Sequence, residues 1–222
     1  RLGKLFASIV CGLGACRSGD HAVAIAALES ARRDLEEWRR KELAIAAAFA
    51  PYTELLEMAL EESWGLRSRI EGDISGAADH LGAAAALCET RASRSRSKRD
   101  RFIVLVYARY LRSIPDVMAA EHALRASDMS GSSNHCQHVL GQLRPDIPSV
   151  ETFVPLNGGE NRIKCLILAF WFYAVALSHL ASLGQAFRQQ RHSELEKYRD
   201  FAVGAVGEAE EVIRAMKSPA AS

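Results

Sequence analysis

Apolar residues recur along most of this chain at intervals of three and four, the spacing that places them on one face of an α-helix. The pattern is most regular after Gly72 and Asp73, where the apolar positions are Ile74, Ala77, Ala78, Leu81, Ala84, Ala85 and Cys88. In this sequence no stretch alternates between apolar and polar residues over the length of a strand. The pattern therefore predicts an all-α protein.

Turn and capping residues divide the pattern into about eight helices. Gly19-Asp20 and Gly72-Asp73 each combine a helix stop with an N-cap, and Ser193 to Glu196 form a capping box. Pro51 and Pro115 mark further boundaries, because proline disrupts the interior of a helix. Ser113 is the expected cap where Pro115 starts a sixth helix or kinks the fifth. The predicted helices cover roughly 2–16, 20 to the upper forties, 53–69, 74–90, 100–115, 115–126, 161–188 and 193–216.

Short turns such as Gly72-Asp73 force consecutive helices to lie antiparallel. We therefore treat 1–222 as a single all-helical domain of stacked hairpins. Its predicted parts are two hairpins in 1–90, a basic Ser/Arg linker at 91–99, a third hairpin at 100–126, a long loop at 127–160 and a closing hairpin at 161–217.

Two hairpins resemble tetratricopeptide units. Gly19-Asp20 and Gly72-Asp73 each precede an alanine-rich helix, and Leu183 to Phe187 is similar to the Leu-Gly-x-x-aromatic core of that family's first helix. The two Gly-Asp turns lie further apart than the family's 34-residue period. The resemblance implies either a right-handed tetratricopeptide-like solenoid or an irregular helical array.

The order of the hairpins also resembles a Bro1-like domain, which is an irregular helical scaffold. The segment from Glu54 to Ala86 is similar to the central hairpin of that family, and Lys164 to Ile213 to its closing hairpin. This resemblance implies endosomal-sorting partners and a groove that receives a partner's C-terminal helix.

The composition excludes some partners and indicates a compartment. The net charge is +1, which argues against a nucleic-acid or membrane footprint over the whole protein. The five cysteines are odd in number and share no Cys-x-x-Cys spacing, as free thiols in a reducing, cytoplasmic location would. The chain opens on Arg1 rather than Met, as a fragment or a processed product does.

Two apolar segments have alternative interpretations. Leu5 to Cys16 follows two basic residues as a signal peptide would, but its one-sided spacing favours a packed helix. Cys165 to Phe187 has no charged residue and is long enough to span a bilayer. Polar residues in its second half, His179 among them, favour a buried central helix over a membrane span.

The sequence carries no recognisable catalytic motif, so we predict a protein without enzymatic activity or cofactor. His135, Cys136 and His138 are the only cluster of metal-ligand types, but structural zinc requires four ligands. A polar surface loop is therefore favoured there and no metal site is predicted. His179 is favoured as a core histidine rather than a catalytic base.

The predicted function is a scaffold or adaptor that binds a peptide or helix of a partner protein. Trp38 lies between charged residues, where a large ring has little cover, and aromatic residues beside arginines are typical anchors of a partner surface. The predicted contacts are Trp38, Arg33, Arg39 and Arg40. We expect docking on the first four helices, with the last two as buried support.

The alternative function is binding of RNA or an anionic membrane through the basic segment 91–101. The residues of this basic patch are Arg91, Arg94, Arg96, Lys98, Arg99 and Arg101. A solvated loop between helices explains the same residues, and the serines beside them offer sites for phosphorylation.

Overall fold

The computed structural model describes residues 2–41 and 43–217, which form nine helices and no strand. The all-α prediction with about eight helices is confirmed, since eight of the nine are long and one is a short connection. The helices are α1 (Leu2–Ser18), α2 (His21–Lys41), α3 (Leu43–Glu71), α4 (Ile74–Arg94), α5 (Lys98–Arg125), α6 (Met129–Leu143), α7 (Ile147–Thr152), α8 (Gly158–Arg188) and α9 (His192–Lys217).

Four helical hairpins share one type of turn. In each, a residue with positive φ ends the first helix, and its N–H bonds three residues back while the next N–H bonds five residues back. This is the Schellman arrangement, which satisfies the last carbonyls of a helix. The positive-φ residues are Gly19, Gly72, Ser127 and Gln190, at the ends of α1, α3, α5 and α8.

The first three hairpins also cap the second helix in the same way. Asp20, Asp73 and Asp128 follow the positive-φ residue, and each carboxylate accepts the backbone N–H three residues on. Such a cap satisfies one of the orphan donors at a helix N-terminus and contributes about 1 kcal/mol. The predicted Gly-Asp stop-and-cap signals therefore act as expected.

The chain divides into two compact units, Arg1–Arg96 and Ser97–Ser222, and the boundary falls inside the predicted basic linker. In the first unit α2 packs on both α1 and α3, and α4 packs on α3. Its core cluster is built from α1, α2 and α3 and comprises Leu5, Ile25, Leu28, Ala31, Leu35, Leu56, Ala59 and Leu60.

In the second unit α8 is the central helix, with α5, α6, α7 and α9 packed against it. Tyr110 of α5 meets Phe170 of α8 edge to face, with ring centroids 5.0 Å apart. The contact between α8 and α9 is lined by small side chains, since Ala202, Ala205 and Ala209 are the buried residues of α9. Small residues let the two helix backbones approach closely.

Two boundaries in the first half differ from the prediction. The second helix was expected to reach the upper forties, but α2 ends at Lys41 and α3 runs from Leu43 through Pro51. Pro51 therefore lies inside α3, where it lacks a backbone N–H to donate, and it does not mark a helix boundary. The basic linker 91–99 is also shorter than expected, because α4 continues to Arg94 and α5 begins at Lys98.

The third hairpin and the long loop depart further from their predicted form. The segment 100–126 is one helix, α5, which contains Pro115 and lacks one backbone hydrogen bond there. Ser113 does not cap a helix: it is buried and its hydroxyl lies 2.8 Å from the Arg109 carbonyl. The predicted loop 127–160 holds α6 and α7, so α6 is the real partner of α5 in the third hairpin.

Candidate functional site

The predicted partner contacts lie on the C-terminal half of α2. Arg33, Arg39 and Arg40 are exposed, whereas Trp38 is half-buried and packs against the core cluster of the first unit. Trp38 follows buried Leu35 by three residues, which places it about 60° from that residue around the helix. The indole therefore contributes to packing.

The structure does not bring these four residues onto one face. Arg33 and Arg40 are seven residues apart and share a face to within about 20°. Trp38 is five residues from Arg33 and two from Arg40, which places it about 140° and 160° away from them around the helix axis. A partner that docks on the face of α2 bearing Arg33 and Arg40 would therefore not contact the indole of Trp38.

The basic patch of six residues is divided between the two units. Arg91, Arg94 and Arg96 belong to the first unit and are exposed, and Arg94 forms an ion pair with Glu54 of α3. Lys98 and Arg101 belong to the second unit and are also exposed.

Arg99 has a structural role in the second unit. Its guanidinium forms a two-nitrogen contact with the Glu160 carboxylate, at 3.1 and 2.6 Å, and bonds the Val154 carbonyl. It also lies over the Phe153 ring, 4.2 Å from the centroid. The side-chain hydrogen bond from Arg99, with a second from the Leu156 N–H, lowers the pKa of Glu160. Arg99 therefore holds the 153–157 segment between α7 and α8.

His135, Cys136 and His138 do not converge on one point. His135 and His138 both face α5, where their Nδ1 atoms lie 3.2 and 2.8 Å from the two carboxylate oxygens of Asp116. Cys136 is buried on another side of α6, and burial raises the pKa of its thiol to about 11. In the part of the chain that the structure describes, no group of three metal-ligand side chains could hold an ion.

A surface that the sequence analysis missed lies on α8. Four apolar residues at intervals of seven form a line along this helix, which we call the α8 stripe: Leu166, Tyr173, Leu180 and Phe187. Leu166 is half-buried, Tyr173 and Leu180 are 36% and 39% exposed, and Phe187 is 68% exposed. Because intervals of seven return to nearly the same angle, the four residues form an apolar row along one side of the helix.

The neighbouring helices α5 and α9 pack on different sides of α8. On α5, the Glu121 carboxylate accepts a 2.9 Å hydrogen bond from the Tyr173 hydroxyl. On α9, Phe201 contacts the His179 ring on one side of the buried alanines. Val206 lies about 140° from Phe201 around α9, on the other side, and is exposed. The α8 stripe is thus bounded by α5 at Tyr173, and α9 packs against another side of α8.

His179 has the environment of a packed histidine, as predicted. Its ring centroid is 5.1 Å from that of Phe201 and 6.4 Å from that of Tyr198. Burial lowers the pKa of this imidazole. The side chain therefore favours its neutral form and serves the contact between α8 and α9.

We expected the last two helices to be buried as a support, but only part of α8 is buried. Among the described helices α8 is the one long and apolar enough to cross a membrane, although 44% of its most apolar stretch is buried against the rest of the protein. The core helix of a soluble protein has the same length and composition, so this is weak evidence for a membrane span. The sequence does not distinguish the exposed stripe residues of α8 from its buried residues, because apolar residues occur all around this helix.

We compared the chain with protein-family models, with curated proteins and with solved structures, and none of the three comparisons gives a match.

Proposed function

We propose that this protein is a non-enzymatic helical scaffold that binds a helix or peptide of a partner protein along the α8 stripe. The observation that carries the proposal is the row of apolar side chains at intervals of seven on an ordered helix. Large apolar groups aligned on an accessible face mark interaction surfaces more often than isolated ones do. An amphipathic helix laid into an apolar groove is a recurring mode of peptide recognition.

The stripe suggests what the partner carries. A helix packed along α8 would present apolar residues at positions i, i+4 and i+7, which interlock with Tyr173, Leu180 and Phe187. Fully burying one such side chain contributes about 1.5–3 kcal/mol, and ordering the partner offsets part of the gain. Three contacts of this kind contribute about 4.5–9 kcal/mol before that cost, so they support weak binding, to which contacts beside the stripe would add.

The α8 stripe lies outside the first four helices, on which we expected the partner to dock. Trp38 was the expected anchor, but its ring packs against the core cluster. The exposed arginines of α2 are interspersed with acids, and Lys41 pairs with Glu37 one turn away. An arginine in such a mixed surface is well solvated and gives little binding energy.

We further propose a family likeness and a location for the scaffold. The tetratricopeptide-like character of the hairpins rests on the Gly-Asp turns and the alanine-rich helices, and the Bro1-like character on the order of the hairpins. If the Bro1-like resemblance holds, the partner is a C-terminal helix of an endosomal-sorting protein. A scaffold with this role would be cytoplasmic.

RNA or anionic-membrane binding through the basic patch is a weaker proposal. Arg94 and Arg99 already pair with Glu54 and Glu160, so part of the patch charge is neutralised within the protein. Binding of this kind would fall steeply with salt concentration, because it releases counterions.

The test uses a display library of amphipathic helical peptides selected on the full chain. Selected peptides should carry apolar residues at i, i+4 and i+7. Leu180→Asp should weaken their binding tenfold or more, because it places a charge in the apolar contact. The matched control is Ile70→Asp, which introduces the same charge at a 75% exposed position of α3. Peptides that bind both variants equally, or none that depend on residue 180, would exclude this surface.

A further inference from the structure

The first two hairpins can be matched residue by residue. In each, a glycine of the first helix lies against a leucine of the second: Gly12 against Leu28, and Gly65 against Leu81. The two pairs have the same spacing along the chain, so each residue of α1 corresponds to the residue of α3 at the same distance from its glycine. Corresponding residues therefore occupy equivalent places in the two hairpins.

One face of α3 is buried, whereas the corresponding face of α1 is exposed. Ala59 and Leu60 of α3 belong to the core cluster that α1, α2 and α3 form. Ser63 is buried too, and its hydroxyl lies 3.0 Å from the Cys16 sulfur of α1. The hairpin that covers this face of α3 has no counterpart on α1 among the described helices. The corresponding residues of α1 are exposed, and they are Phe6, Ala7 and Val10.

The exposed face of α1 carries large apolar side chains. Phe6 and Val10 are 46% and 68% exposed, yet the buried face of α3 has only alanine and serine at these two positions. In arrays of stacked hairpins, a terminal hairpin that faces water has a polar outer face, which keeps the array soluble. The apolar face of α1 is suited instead to contact with another hairpin.

We propose that the face formed by Phe6, Ala7 and Val10, which we call the α1 face, binds a helical hairpin of a partner protein. The partner hairpin stacks on α1 as α1 and α2 stack on α3, and it thereby continues the array. Such arrays extend in this way because each hairpin contacts only its neighbours. The α1 face belongs to the first unit and does not depend on the α8 stripe, which belongs to the second.

The side chains on and beside the α1 face define the chemistry of the partner. Helix side chains pack into the gaps between those of the facing helix, so Phe6 and Val10 require small residues opposite them. The charged residues of α1, Lys4 and Arg17, are both basic. Lys4 lies about 60° from Ala7 around the helix, and Arg17 within about 20° of Val10. The partner hairpin is therefore rich in alanine or glycine, with acidic residues at the rim of its contact face.

The experiment is a selection on the full chain from a display library of helical hairpins whose outer faces are randomised. Hairpins that bind the α1 face should carry small residues bordered by Asp or Glu. Val10→Glu should weaken their binding tenfold or more, whereas Leu180→Asp on the α8 stripe should leave it unchanged. The matched control is Ile70→Glu, which places the same charge at a 75% exposed position of α3. A selection in which no hairpin depends on residue 10 would overturn the proposal, whatever the result at residue 180.

Two further variants separate loss of contact from loss of folding. Val10→Ala shortens the side chain without adding charge, and it should weaken the same hairpins about threefold while the urea midpoint stays unchanged. Lys4→Glu should also weaken them, because it reverses a charge that faces the acidic rim. Binding that survives both substitutions would contradict the assigned chemistry of the partner.

The chain alone provides the remaining test. Sedimentation equilibrium at micromolar concentration should give the mass of a monomer, because the proposed occupant of the α1 face is a different protein. A dimer that Val10→Glu dissociates would show that a second copy of the chain covers this face, and it would overturn the proposal of a separate partner.

Discussion

Gly65 of α3 lies directly against Leu81 of α4: a Cβ atom built on the glycine would be 2.5 Å from the Leu81 Cγ and 3.1 Å from its backbone nitrogen. No real Cβ approaches another atom so closely. The absence of a side chain at Gly65 therefore sets the distance between the two helices of the second hairpin.

Gly65→Ala should destabilise the first unit. The added methyl group pushes α3 away from α4 or forces Leu81 off its rotamer, which costs about 1–3 kcal/mol. Urea unfolding followed by circular dichroism measures the loss. The control is Gly82→Ala on α4, where nothing lies within 4 Å of the new Cβ. That variant should be neutral or stabilising by up to about 1 kcal/mol, because alanine favours the helix. Equal effects at both glycines would contradict the close approach.

Trp38→Ala should lower the stability of the protein. The ring packs against the core cluster, and removing a large half-buried aromatic costs about 2 kcal/mol or more. Thermal unfolding measures the change, with Arg40→Ala as the exposed control on the same helix, where we expect less than about 0.5 kcal/mol. Binding of a partner should be unaffected in molecules that remain folded. An unchanged melting temperature with weakened partner binding would instead restore Trp38 as an anchor.

Glu160→Gln should remove a pH-dependent contribution to stability. Arg99 lowers the pKa of Glu160 in the folded protein, so the contribution is present above the ordinary pKa of a glutamate. It is lost as the pH falls through the lower folded value. The urea midpoints of parent and variant should therefore differ at about pH 7 and converge below about pH 4. The control is Glu196→Gln at an exposed position of α9, which should leave the urea midpoint at about pH 7 unchanged.

The five cysteines should differ sharply in reactivity. Burial raises the pKa of Cys88 to about 12 and that of Cys136 to about 11, so neither forms thiolate near neutral pH. Cys11 is exposed on α1. Iodoacetamide at about pH 7.5, followed by mass spectrometry of peptides, should label Cys11 first and the buried pair only after unfolding, because the thiolate is the reactive form. Rapid labelling of Cys136 in the folded protein would show that α6 opens easily.

The fold could be predicted best where small or aliphatic residues keep a strict helical spacing and a capping residue precedes them. The α4 helix is the example: five of the seven residues of its predicted stripe are buried, Ile74 is partly buried and Ala78 is exposed, and Asp73 caps the helix. The helix α6 was missed because its buried face mixes serine and cysteine with leucine, and because its segment contains two glycines. Asp128 was the available signal, because aspartate is a preferred N-cap and caps α2 and α4 in the same way.

The candidate site was harder to predict than the fold. A half-exposed stripe on α8 has no polar face to define it, so Leu180 and the buried Leu177 look alike in the sequence. The packing of Trp38 was also hidden, because its neighbours along the chain are charged while its position relative to Leu35 turns it toward the core cluster. The Asp116 contacts of His135 and His138 join residues about twenty positions apart, which no local spacing indicates.

The matching turns of the first two hairpins suggest how the chain arose. Gly12, Gly19, Asp20 and Leu28 stand in the same order and at the same intervals as Gly65, Gly72, Asp73 and Leu81. In both sets the first glycine meets the leucine, the second has a φ near +80°, and the aspartate caps the next helix. A gene segment encoding one hairpin, copied in tandem, would leave the same residues at the positions where the turn and the close helix contact most favour them. The remaining positions could then diverge. The two hairpins could acquire different surfaces while keeping the same turn and the same contact between their helices.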